Sequence, residues 1–396
     1  MMASKNTDSI DRKANDLVRE AVSRSIREKG EVGVQVAAYL NGRLVIDTWD
    51  GIADLSTGRR VDGETLFNVF SVTKAVSLVA VHIQAERGLV DYEAPVARYW
   101  PEFGVKGKSK GTVRDALTHR LGVPFMPEGV TPEKMCDWDW MVGQIADMEP
   151  MFKDKPRSAY HAITLGWLLG EIVCRTDPKQ RDFGTFVQEE ICEPLGISDL
   201  WIGIPDRVEA RVAKLIDYSS LPPYRKPGSF GYRAQPDTVG TRAAVYGRAD
   251  VRRACIAAAG GIFNARSGAR FFSMLANGGE LDGVRLLSEA RVRSLGQPRW
   301  DPDEVDPIMM HVLQVGLGGL RVNDRPELRM SIASVGNNPH TIYHPGAGGS
   351  IAWADPDARL AAAIFHNRMF DTYVSAEQDP FVPIGEAIRK GLGIER

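Results

Sequence analysis

The sequence predicts an α/β (α+β) fold in which residues 1–98 and 301–396 build one sheet domain and residues 99–300 form a mostly helical domain inserted between them. Three observations carry this prediction. Two β-rich runs near the N-terminus flank an Asn-Gly turn, and strand-like runs return only from His311 onward. The stretch between is dominated by helical periodicity broken by Pro/Gly-rich loops.

Each element follows from local pattern. In IDRKANDLVREAVSRSIREKG, Leu17, Val18, Ala21, Val22 and Ile26 recur at helical spacing and Gly30 is a stop signal. GVQVAAYLNGRLVIDTWDGIAD reads as a hairpin, because Asn41-Gly42 supplies two residues that tolerate positive φ. FNVFSVTKAVSLVAVHIQ leads into a helix from about Ser71 to Arg87, ended by Gly88. HAITLGWLLGEIVCR and FGTFVQEEICEPLG are helical. The segment SSLPPYRKPGSFGYRAQPDTVG, with Tyr218 just before it and Tyr224, Phe230 and Tyr232 within it, is expected to form an ordered wall or lid rather than a linker. HVLQVGLGGLRV, SIAWADP and RLAAAIFHN are strand-like, and FVPIGEAIRKGL is a closing helix. There is no internal repeat and no low-complexity tract.

Composition narrows the class of partner. The 396 residues are 43% hydrophobic and 25% charged, enough for a sizeable core. A net charge of −2 without a basic run argues against nucleic acid and anionic membranes. No uninterrupted apolar stretch reaches the roughly 18 residues of a membrane span, and MMASKNTDSIDRK lacks the apolar core of a signal peptide. Cys136, Cys174, Cys192 and Cys255 are scattered without CxxC spacing, so reduced thiols in a cytoplasmic protein are expected. HExxH, P-loop and Cys/His metal spacings are missing, so no metal, nucleotide or other cofactor is expected.

Three stretches could carry chemistry. Ser71-Val72-Thr73-Lys74 sets a hydroxyl and an amine three residues apart, on one face of a helix. Apolar neighbours disfavour the ammonium form, so Lys74 can act as a neutral base that activates Ser71. The competing reading makes Ser71 an N-cap and Lys74 a solvated first-turn residue. PRSAYHAITLGWLLGEIV offers Tyr160, a phenol able to shuttle a proton or simply to pack. HPGAGGSIAWADP is a glycine-rich approach to a strand, able to leave backbone N–H groups free for an oxyanion or to form a plain turn. Rival signals are weaker. Ser350 falls one residue short of a GxSxG elbow and precedes a strand instead of following one. His119 reads as a loop-fixing hydrogen-bond partner. Trp138 and Trp140 read as helix packing, with an acyl pocket as the alternative.

Together these stretches resemble the serine β-lactamase and penicillin-binding-protein superfamily, whose signature begins with S-x-x-K. The likeness is greatest to the class C branch and, within it, to family VIII carboxylesterases and related acyltransferases. It runs from about Gly33 to Asn367 through FNVFSVTK, GLVDYEAPVARYWPEF, DALTHRLGVP, YHAITLGWLLGE and HPGAGGSIAWADPDARLAAAIFHN. The resemblance implies a serine β-lactamase-like fold, with Ser71 as the acylated nucleophile and Lys74 and Tyr160 as its base system. It also implies an oxyanion hole from the Ser71 and Ala347 N–H groups, and substrate contacts at His344, Gly346 and His161.

Two departures bear on substrate. Tyr160-His161-Ala162 stands where lactamases have Tyr-x-Asn, and His344-Pro345-Gly346 stands where they have Lys-Thr-Gly. A carboxamide and a permanent cation are thereby missing from the motifs, which favours esters over β-lactams. His344 is expected either to donate one hydrogen bond at the pocket edge or to play a purely structural role. The expected function is a serine hydrolase cleaving small carboxylic esters. An acyltransferase, a β-lactamase or D-amino-acid peptidase, and a non-catalytic scaffold on the same fold are the alternatives.

Overall fold

Asn41 and Gly42 adopt φ values of 51° and 78°, the two left-handed positions that a tight hairpin demands. They join strands Gly33–Leu40 and Arg43–Asp54, the first two strands of the main sheet. The computed structural model describes residues 10–217, 223–299, 301, 303–325, 333–370 and 377–394. Among these, the sheet has seven antiparallel strands. Their order is Arg321–Val322, Ile342–Pro345, Ile351–Asp355, Leu360–His366, Gly33–Leu40, Arg43–Asp54 and Arg59–Arg60. The chain ends meet in the middle, where Val34 pairs with His366 and Leu40 with Leu360. The sheet is thus built from both ends of the chain, as the sequence predicts.

Side chains alternate between the two faces of the sheet. Val34, Val36, Ala38, Trp353 and Ile364 pack under helices Arg12–Lys29 and Val382–Gly391. The first of these helices begins where the Asp11 carboxylate accepts the Ala14 N–H at 3.0 Å, and ends at Gly30 with φ 75°. On the opposite face Ala37, Ala361, Ala363 and Phe365 are covered by helix Ala265–Ala276. A Cβ on Gly268 would come within 2.6 Å of the Phe365 ring, so glycine lets this helix lie flat on the sheet. This helix falls inside the stretch expected as the helical insertion. Its periodicity reveals an apolar stripe but not the surface that the stripe covers.

The run HVLQVGLGGLRV is strand only at His311–Val312 and Arg321–Val322. Gly319 between them has φ 87° and breaks the extended run. Helix Thr73–Glu86 crosses the centre of the molecule with every residue from Thr73 to Gln84 buried. It packs on helix Leu165–Thr176 of the inserted region. Gly166 opens the way for the chain at Ala257–Ala258, since a Cβ there would lie 2.4 Å from the Ala258 nitrogen.

Candidate active site

Ser71 lies in a short 3-10 turn, Phe70–Val72, that runs directly into helix Thr73–Glu86. Phe70 has φ 47°, a left-handed conformation that is costly for a bulky residue and persists only where its surroundings enforce it. Here they do. The Thr73 hydroxyl donates to the Phe70 carbonyl and accepts the Gly261 N–H at 2.9 Å. The Val69 N–H donates to the Gly261 carbonyl at 3.0 Å. The Ser71 hydroxyl caps no helix; its partners are Lys74 and Tyr160.

Lys74 is fully buried, against the reading that made it a solvated residue. Its Nζ lies 2.9 Å from Ser71 Oγ, 2.7 Å from the Ala162 carbonyl and 3.0 Å from the Ala258 carbonyl. Burial holds its pKa well below the usual amine value, and the nearby Arg321 charge lowers it further. A neutral amine has two N–H donors and one lone pair. Both carbonyls can only accept, so they take the two donors. The lone pair is left facing Ser71 Oγ, and the serine hydroxyl becomes the donor across that contact.

Tyr160 OH lies 3.4 Å from Ser71 Oγ, and Lys74 Nζ sits 5.2 Å from its ring centre. Burial raises the pKa of the phenol, which keeps its proton. The tyrosine is fixed from behind. The His119 ring packs against it at 4.6 Å with the planes tilted by 40°, and its Nδ1 accepts the His161 N–H at 3.0 Å. The chain leading to Tyr160 is held by Arg120, which donates to the Pro156 carbonyl at 2.6 Å. Ser158 adds a second tie, donating to Asp306 at 2.7 Å.

The glycine-rich stretch borders the same cleft. Ser71, Tyr160, His344, Gly346 and Ala347 all line it. A Cβ on Gly346 would stand 2.3 Å from the Val69 carbonyl, so this position brings the strand edge against the serine turn. The Ala347 N–H has no acceptor among the described residues. His344 is buried, which holds its imidazole well below the ordinary pKa, and its Nδ1–H donates to the Pro345 carbonyl at 2.9 Å. Its Nε2 therefore carries a lone pair, without a protein partner among the described residues. The expected donor is an acceptor. His161, expected at the substrate, does not line the cleft: it is fully buried and its Nε2 accepts the Val123 N–H at 3.1 Å.

Other candidates fall outside the chemistry. Ser350 is buried and its hydroxyl accepts the His366 N–H at 3.4 Å. Trp138 donates to Glu171 at 2.9 Å and packs against Phe183, away from the cleft. The four cysteines are free, and burial raises each thiol pKa, which weakens them as nucleophiles. From the expected wall, Tyr224 lines the cleft, whereas Phe230 and Tyr232 do not and Tyr218 lies outside the described residues.

Sequence reasoning missed two things. The groups that orient the Lys74 amine are backbone carbonyls, at Ala162 and Ala258. Arg321 also lines the cleft, on a two-residue strand paired in register with Tyr343, beside His344. The sequence expectation that the missing motif lysine removes the permanent cation is therefore corrected. A guanidinium from the adjoining strand supplies one.

A hydroxyl facing the lone pair of a buried lysine, on this sheet, is the chemistry of serine hydrolases with a β-lactamase-like fold. The chain belongs to the beta-lactamase family, whose model matches residues 15–381, and is a serine hydrolase. It is 35% identical over 381 residues to the esterase/beta-lactamase LipL of Mycobacterium tuberculosis, a match covering 92% of this chain and 83% of that protein. A penicillin-binding protein homologue from Caulobacter crescentus superposes with a TM-score of 0.84 at 31% identity, over 97% of this chain and 99% of the other. A family VIII carboxylesterase structure gives 0.85 at 28% identity over the same shares. No helix among the described residues is long and apolar enough to cross a membrane.

Proposed function

We propose that this protein cleaves carboxylic esters through a covalent acyl-Ser71 intermediate. The observation that carries the reading is the set of contacts around Lys74 Nζ: two carbonyl acceptors and the serine oxygen, at 2.7, 3.0 and 2.9 Å. In the first step Ser71 Oγ gives its proton to the Lys74 lone pair and attacks the ester carbonyl carbon. The oxyanion accepts hydrogen bonds from the Ser71 and Ala347 N–H groups. As the tetrahedral intermediate collapses, the alkoxide leaves with a proton relayed from Lys74 through the Tyr160 phenol. Water then attacks the acyl carbon, the same groups run in reverse, and the carboxylic acid departs. Support for an ester substrate comes from relatives named as an esterase/beta-lactamase and a carboxylesterase.

Intact-mass measurement after mixing with 4-nitrophenyl acetate, butyrate and octanoate tests this. An adduct of the acyl mass on the Ser71 peptide is expected, with neither adduct nor turnover in Ser71→Ala. Wild-type turnover by a folded Ser71→Ala protein would refute it.

A further inference from the structure

Arg321 carries a charge that pairs with no carboxylate among the described residues. The residue is 8% exposed, and its Nε and Nη1 make no hydrogen bond among the described residues. Arg120 shows the ordinary alternative: equally buried, it is paired with Asp301 at 3.0 Å and with Glu304 at 2.8 Å. The nearby buried acid Asp306 is engaged elsewhere. One of its oxygens accepts from Ser158, and the other from the Ile308 and Met309 N–H groups. Asp379 is the carboxylic acid among the described residues that line the cleft, and its Oδ1 accepts the Phe381 N–H at 2.8 Å. A buried, unanswered guanidinium is costly to a fold and costs less once an anion pairs with it.

Its position is functional. Arg321 lines the cleft that holds Ser71, and its charge is felt at Lys74, Tyr160 and His344. A guanidinium presents parallel N–H groups that match the two oxygens of a carboxylate. His344 Nε2, with its lone pair, repels the same group, which directs an anion to Arg321.

We propose that Arg321 recognises a carboxylate on the substrate, so that the site selects esters bearing one over neutral esters of the same size. This rests on the ester cleavage at Ser71 proposed above. The carboxylate could belong to the acyl half or to the alcohol half, and paired substrates separate the two. For the acyl half, the half-ester 4-nitrophenyl hydrogen adipate is compared with 4-nitrophenyl hexanoate. For the alcohol half, 4-acetoxybenzoate is compared with 4-acetoxybenzamide.

In the wild type the anionic-to-neutral ratio of kcat/KM is expected to be about ten or more in one of the two pairs, the yield of a charge-assisted hydrogen bond. Arg321→Met should lower that ratio by about tenfold, and Arg321→Lys, which keeps the charge but not the fork, by less. If Arg321→Met does not fold by circular dichroism, Arg321→Lys carries the comparison, and an unchanged ratio then overturns the proposal. So does a wild-type ratio below about ten in both pairs. Equal loss of the neutral and anionic substrates in Arg321→Met also overturns it, since the arginine then acts only on the field at Lys74. Turnover of the neutral esters without anionic preference in either pair defeats this inference alone. Failure of all four substrates in the wild type defeats the ester reading and this inference with it.

Discussion

Replacing Lys74 separates a base from a charge. Its amine is held by two carbonyl acceptors, at Ala162 and Ala258, which use both N–H groups of the neutral form and turn the lone pair to Ser71. Methionine at this position keeps the length of the side chain and removes the base. Arginine keeps a cation and has no lone pair to accept the serine proton. A positioned general base contributes about 10²–10⁴ in rate. At about 1.36 kcal/mol per decade this is about 2.7–5.4 kcal/mol of activation free energy. Both Lys74→Met and Lys74→Arg should therefore lose at least about a hundredfold in kcat, with a smaller change in KM. Were Lys74 only a charge that attracts substrate, Arg would keep kcat and Met would raise KM. The assay is steady-state hydrolysis of 4-nitrophenyl butyrate, with circular dichroism as the folding control. A folded Lys74→Met enzyme within about tenfold of the wild-type kcat would refute the reasoning.

The same amine fixes the pH profile. Its pKa is depressed well below 10.5 in the folded protein, first by burial and then by Arg321. In the proposed mechanism the active form is the unprotonated one, so kcat/KM should rise with pH through that depressed value and level off well below 10.5. Tyr160 is shifted upward by burial and stays protonated over this range, so it adds no falling limb there. Linkage has the matching sign. Between the folded value and 10.5 the unfolded chain holds a proton that the native amine refuses, so this group's contribution to stability falls as pH falls. A wild-type profile that rises only near 10.5 would show an ordinary, solvated lysine.

Two further substitutions test the supports of the site. Tyr160→Phe should lower kcat by about 10²–10⁴ while leaving KM nearly unchanged, and a variant of full kcat would make the ring a packing element only. Gly166→Ala puts a Cβ 2.4 Å from the Ala258 nitrogen, so the segment that presents a carbonyl to Lys74 must shift. It should lower both thermal stability, by about 1–3 kcal/mol, and kcat. Unchanged kcat in a destabilised Gly166→Ala protein would show that the Ala258 carbonyl does not set the amine.

Much of this was legible in the sequence, for physical reasons that also mark where legibility ends. Asn41-Gly42 announces its hairpin because few residues accept two positive φ values in succession. Ser71 and Lys74 are legible as a pair because helical spacing alone brings them together. The helix that carries Lys74 shows no clean stripe, since Thr73–Gln84 is buried on every side. The acceptors of Lys74 are invisible for a different reason. Every residue has a carbonyl, so no residue type at positions 162 or 258 could advertise the role. The fate of His161 was hidden likewise: sequence adjacency to Tyr160 does not tell that its ring turns into the core, to Val123.

Arg321 lies beyond motif reading because only strand pairing brings it beside the third motif, 23 residues away in sequence from His344. Its charge acts twice. It helps to strip the proton from Lys74, and it draws an anion into the cleft. These effects compete once a substrate carboxylate arrives, because the bound anion cancels part of the field that disfavours the ammonium. The base survives that cancellation only if something else keeps it neutral. Burial does so, and it is the larger of the two causes. The burial of Lys74 on the helix Thr73–Glu86 is unchanged by what binds at Arg321. A cation on the adjoining strand can thus select a charged substrate without disarming the lysine proposed to activate Ser71.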